Sequence, residues 1–147
     1  MNSIETFKKL KKQKGKISCE ELDEFYKDLE PINIDEMTGR WKGGYFPAKI
    51  SKLEIFLKNF ILFKWYGKSF ISQDNVKALV YSFLGIKFNI PFFGPAVLRK
   101  IEFRGKLSTS MIYNHLPIID NFRKVDDDTV IGVMDVKGKV AMYFYLN

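Results

Sequence analysis

The chain has 147 residues, 46% of them apolar and 16% aromatic, with a formal net charge of +7. That length suits one domain with a single core, and the apolar content excludes an intrinsically disordered chain. Cys19 is the only cysteine, so an intramolecular disulfide is excluded and a reducing, cytoplasmic setting is expected.

In chain order, residues 1–16 are rich in lysine and no long apolar run follows them, so they read as a basic flexible tail rather than a secretory signal. Residues 17–147 then read as one domain. Ser18 to Glu30 is expected to be a helix, with Ser18 as N-cap, Glu21 completing a capping box, Leu22, Phe25, Tyr26 and Leu29 on one face, and Pro31 ending it. Gly39-Arg40-Trp41-Lys42-Gly43 opens an extended stretch in which two glycines let the backbone bend around a large ring. A second capping box at Ser51 and Glu54, with Leu53, Phe56, Leu57, Phe60 and Ile61 at helical spacing, predicts an amphipathic, basic helix over 51–61.

From Trp65 the apolar period shortens to two. Lys68 to Ile71, a turn at Ser72 to Asn75, and Val76, Ala78 and Val80 on one side predict a strand pair. Residues 83–98 alternate loosely, but Pro91, Gly94 and Pro95 interrupt regular structure, leaving a rim loop or a core-packing connection. Ile101, Phe103, Leu107, Met111 and Tyr113 read as one strand face with a bulge or bend at Gly105. Thr129 to Val136 and Val140 to Leu146 flank Lys137-Gly138, a two-residue hairpin turn. The fold class expected is α+β: N-terminal helices followed by a curled or closed antiparallel β-barrel.

The run Gly39-Arg40-Trp41-Lys42-Gly43 with Phe46-Pro47 and Trp65-Tyr66-Gly67-Lys68 resembles the bacterial GXWXG domain, over about residues 28–82. Arg104-Gly105, Met111-Ile112-Tyr113, Leu116-Pro117-Ile118, Asp120, Phe122-Arg123, Val125-Asp126 and Gly132-Val133-Met134-Asp135 resemble the domain of unknown function that usually follows it, over about 98–147. The resemblance implies no established activity, substrate or cofactor. In that family a histidine often stands where this chain has Asn121. The first strand is also similar to that of lipocalins and intracellular fatty-acid-binding proteins, which implies a lipocalin-like barrel with Trp41 closing the floor under a cation–π lid from Arg123 or Arg104.

Charge is uneven: residues 17–39 carry −7 and residues 40–106 carry +10. The basic middle suits an anionic ligand or an anionic membrane surface, although most such lysines serve solubility; no nucleic-acid-binding motif is present. Around Leu116-Pro117-Ile118, Asp120 is a candidate general base, Tyr113 a proton donor, and Arg123 or Lys68 an anchor for an anionic group; alternatively, Asp120 and Arg123 form a salt bridge that pins the turn. No cofactor fingerprint and no metal-ligand spacing occur, and His115 has no histidine or cysteine partner nearby in sequence.

Three functions follow. The first is a container for a small apolar or amphipathic, anionic ligand, lined by Trp41, Tyr66, Lys68, Arg104, Met111, Tyr113 and Arg123. The second is a cofactor-independent proton-transfer enzyme, an isomerase, dehydratase or decarboxylase, in the same cavity. The third is a peripheral membrane protein using the basic tail, the 51–61 helix and the Phe-rich run.

Overall fold

The computed structural model describes residues 2–49, 65–83, 86–89 and 94–147. Two helices, α1 (Ser3–Lys12) and α2 (Cys19–Asp28), precede a short 3-10 turn at Asp35–Met37 and nine strands. The strands are β1 (Gly39–Tyr45), β2 (Trp65–Ser72), β3 (Asn75–Phe83), β4 (Ile86–Asn89), β5 (Pro95–Phe103), β6 (Lys106–Tyr113), β7 (Ile118–Asp126), β8 (Thr129–Val136) and β9 (Lys139–Leu146).

Every pairing among these strands is antiparallel, and the order β2-β1-β9-β8-β7-β6-β5-β3 closes on itself through β2 and β3. The result is an eight-stranded barrel, with β4 added to β3 outside the ring. Closure removes the open edges that an antiparallel sheet otherwise exposes. Among the described residues, no helix is long and apolar enough to cross a membrane.

Strand alternation sorts the apolar residues into two cores. One fills the barrel, where Met111, Phe122, Met134, Met142 and Phe144 point inward. The other lies outside, where Phe7 and Leu10 of α1 and Leu22, Phe25 and Tyr26 of α2 pack on Ile131, Val133 and Tyr143. β8 is buried on both faces, which is why Thr129 to Met134 reads as an almost continuous apolar run.

The amino terminus departs from the expected flexible tail. Asn2 caps α1 in a reciprocal capping box with Glu5, and Phe7 and Leu10, three residues apart, bury against the barrel wall. The ring of Phe7 meets Phe46 and Tyr145 edge-on at 6.2 and 5.3 Å. Ser18 caps α2 as expected, accepting a hydrogen bond from the Glu21 amide.

Residues 30–38 cross one end of the barrel and tie themselves to it. The Ile32 amide donates to Ser108 Oγ at 3.0 Å, and Thr109 Oγ1 donates to the Ile32 carbonyl at 2.7 Å. Trp41 lies inside this floor, 8% exposed, its Nε1 donating to the Met37 carbonyl at 2.8 Å. Gly67 lets β2 approach β1, since a Cβ there would overlap the Trp41 carbonyl.

Three other expectations are settled by the backbone. Lys137-Gly138 is a two-residue turn with both φ values positive. Arg104-Gly105 is the same kind of turn rather than a bulge or bend within one strand, so Ile101 and Phe103 lie on β5 and Leu107, Met111 and Tyr113 on β6, facing opposite sides of the wall. Within 83–98, where no regular element was expected, residues 86–89 form β4 and β5 begins at Pro95. The predicted helix over 51–61 lies outside the described residues.

Gly132 sits on the inner face opposite Phe144, whose ring occupies the space a side chain would need. Phe144 is fully buried and edge-on to Phe122 at 5.8 Å, so it cannot yield freely. Gly132→Ala is expected to destabilise the fold by about 1–3 kcal/mol, as overpacking does. Urea unfolding measures this; an unchanged midpoint would mean that the ring has open space to swing into.

Candidate functional site

β2 and β7 lie four steps apart in either direction round the eight-stranded ring, so they face each other across the interior. Lys68 from β2 and Asp120 from β7 reach over that gap and meet, Nζ to Oδ2, at 3.1 Å. Strand pairing fixes both directions: Lys68 stands opposite Trp41, and Asp120 stands between Met111 and Met134, all of which line the interior. The two side chains are 2% and 0% exposed.

The lysine carries further contacts. Its Nζ donates to the Tyr113 hydroxyl at 3.1 Å and to the Ala78 carbonyl at 3.3 Å. The rings of Phe144 and Tyr113 lie 5.3 and 5.4 Å from it, within range of cation–π attraction. Asp120 has Lys68 and Tyr113 as its partners, both at angles away from the ideal for a hydrogen bond.

Burial works against both charges. Removal from water pushes the Asp120 carboxyl above its ordinary range, while Lys68 and Tyr113 pull it back. The same desolvation pushes the Lys68 ammonium below its ordinary range, and Asp120 opposes that. The two groups are thus driven toward each other's proton affinity, which favours proton exchange between them. A buried ion pair of this kind is a poor route to stability, because desolvation offsets most of the Coulomb attraction. Its cost marks this pair as the candidate site.

Met111 lines the interior between Leu98 and Asp120, and Tyr66 is half-buried on β2, two residues from Lys68. Trp41 is in place as the floor, but without an arginine lid. Arg104 instead stacks on Phe103 and pairs with Asp23 at 3.0 Å, outside the barrel.

Arg123 also faces outward, because three residues along a strand reverse the side-chain direction relative to Asp120. Its Nη1 donates to the Tyr26 and Lys27 carbonyls at the end of α2, and its Nη2 to the Phe103 and Arg104 carbonyls of the β5–β6 turn. It therefore neither anchors an interior ligand nor pairs with Asp120, and both the Arg123 ligand role and the Asp120–Arg123 salt bridge are corrected. Lys68, by contrast, lies inside the barrel.

Asn121 shares this outer face. It accepts from Ser110 Oγ at 2.8 Å, while its main-chain carbonyl accepts from the Tyr26 hydroxyl beneath α2. A base at that position would not reach the interior. His115 is exposed at the β6–β7 turn. Among the described residues no cluster of three metal-ligating side chains occurs.

Residues 24–82 match the GXWXG protein family, and residues 94–147 match a domain of unknown function, DUF4334. A protein from Thermomonospora curvata whose crystal structure is known shares 35% identity, covers 100% of this chain with 98% of its own, and superposes with a TM-score of 0.86. No curated protein sequence matches the chain. The two adjoining matches, with the tryptophan floor and closed barrel they span, make this chain a member of the GXWXG family with its DUF4334 companion domain.

Proposed function

We propose that the barrel holds one small, mostly apolar molecule with a single oxygen-bearing head group, met by Lys68, Asp120 and Tyr113. The observation that carries this reading is a fully buried ion pair set among methionine and phenylalanine side chains. An eight-stranded barrel has room for its own side chains or one small ligand. The Lys68 side chain is flexible and spans the interior, so a head group that replaces its contacts can displace it. Because Asp120 already neutralises Lys68, an uncharged carbonyl or hydroxyl fits better than the anionic head suggested by the lysine alone. A carboxylate would bring a second negative charge beside Asp120 in a medium that screens poorly.

Calorimetric titration with 1-decanol and with decanoate tests the reading. The alcohol is expected to bind about tenfold more tightly or better, with the negative heat-capacity change of apolar burial. No saturable binding of either probe would end it.

A second reading is favoured by the opposed proton affinities of Asp120 and Lys68. Asp120 would remove a proton next to a carbonyl whose oxygen is held by Lys68 and Tyr113, as an isomerase, dehydratase or decarboxylase requires. Among the described residues, docking on an anionic membrane would rest on the lysines of α1. Phe7 and Leu10 are already buried against the barrel, so such contact would be electrostatic and lost with salt.

A further inference from the structure

We propose that Lys68 is a nucleophile for an apolar aldehyde or ketone, forming a reversible imine inside the barrel with Asp120 as its proton partner and counter-ion. This rests on the binding reading above and names the substrate class it takes.

An amine adds to a carbonyl only as the free base, and it needs a nearby acid to protonate the departing oxygen. Lys68 has both within reach. Asp120 Oδ2 is 3.1 Å from Nζ, and the Tyr113 hydroxyl is 3.1 Å from the same nitrogen. Burial lowers the cost of that proton transfer, since loss of water disfavours the charged form of each group.

The steps balance without any co-reactant. The Lys68 ammonium gives one proton to Asp120, and the freed lone pair attacks the carbonyl carbon. Asp120 returns that proton to the carbonyl oxygen, and the nitrogen sheds a second proton back to the carboxylate, leaving a neutral carbinolamine. That proton then goes to the hydroxyl, the C–O bond breaks, and water leaves as the C=N bond forms. The product is a protonated imine beside an Asp120 carboxylate, the charge pair of the resting protein with one water released. Tyr113 steadies the oxygen throughout, and the Phe144 ring at 5.3 Å from Nζ favours the cationic nitrogen. A dry interior also protects the imine from hydrolysis.

Asp120 is 0% exposed and its carboxyl meets both Lys68 and Tyr113, so the nucleophile, its proton partner and the hydroxyl that steadies the oxygen share one buried point.

The test is reductive trapping with one equivalent of decanal and cyanoborohydride at neutral pH, followed by peptide mapping, with 1-decanol as a competitor that shares the tail but lacks the carbonyl. Lys68 is expected to be labelled ahead of the surface lysines, and 1-decanol to suppress Lys68 labelling alone. Asp120→Asn should slow labelling at Lys68 by about 10²-fold, the size of a general acid–base contribution. Should that variant fold poorly, the 1-decanol competition in the native protein still decides the matter. Saturable 1-decanol binding with Lys68 unlabelled, or labelled no faster than surface lysines, overturns the imine and leaves the binding reading standing. Absence of both 1-decanol binding and Lys68 labelling overturns the two together.

Discussion

Arg123→Met is expected to destabilise the protein by about 3–5 kcal/mol, the range for losing a buried charged group that satisfies several partners. For a domain of this size that corresponds to a fall in Tm of roughly 10 °C. The side chain is 0% exposed, and its two terminal nitrogens satisfy four carbonyls at 2.7–3.1 Å. Two of those carbonyls end α2, where the helix dipole favours a cation, and two lie in the β5–β6 turn. The guanidinium therefore fastens a helix to a hairpin, and its plane lies over the Tyr26 ring at 4.6 Å. Arg123→Lys should recover little, because one ammonium cannot span two pairs of acceptors set apart by a planar fork. Thermal unfolding followed by circular dichroism measures the loss; a drop below about 1 kcal/mol would mean the carbonyls find water instead. Ligand affinity of the surviving folded fraction should not change, since the residue faces away from the interior.

Arg123 also shows where sequence reasoning reached its limit. Proximity in the chain suggested that Asp120 and Arg123 act together, but strand alternation sends them to opposite faces of the wall. The same period, applied to β7 as a strand, would have separated them. The Lys68–Asp120 contact lay further out of reach. It joins strands on opposite sides of a closed ring, and that requires the order and register of all eight.

What was legible depended on local physics. Ser18 and Glu21 marked the start of α2 because a hydroxyl N-cap satisfies an amide within three residues. The glycines around Trp41 and the period-two runs foretold a curled sheet, and the positive φ at Lys137 and Gly138 matched the hairpin read there. At Arg104-Gly105 the same turn reads from sequence as a bulge or bend within one strand, since arginine seldom adopts its φ of 54°. α1 was missed for a different reason. Its lysines suggested a solvated tail, whereas Asn2, Glu5, Phe7 and Leu10 carry the capping and packing that hold it. Those four residues were readable, and the charge masked them.

The ion pair at the barrel centre leads to the other large effect. Removing one partner, as in Lys68→Met or Asp120→Leu, is expected to cost about 3–5 kcal/mol, because the remaining group is left buried without its counter-charge. Replacing both at once should restore stability and exceed the native protein by about 1–4 kcal/mol, since two apolar side chains fit that interior without desolvation. The pH dependence follows from the directions of the two shifts. Folded Asp120 holds its proton to higher pH than the ordinary 3.8, so its contribution to stability falls as pH rises through that interval. Folded Lys68 loses its proton below the ordinary 10.5, so its contribution recovers only as pH rises toward that value. Between those two values both groups oppose folding, and the double variant should gain most over the native protein there. Urea midpoints of the four proteins across that range complete the cycle. If the double variant is no more stable than either single one, the pair stabilises the barrel, and the case that it is kept for binding or chemistry is lost. If it is more stable yet binds no 1-decanol, then the native barrel gives up stability to keep two charges where a guest can meet them.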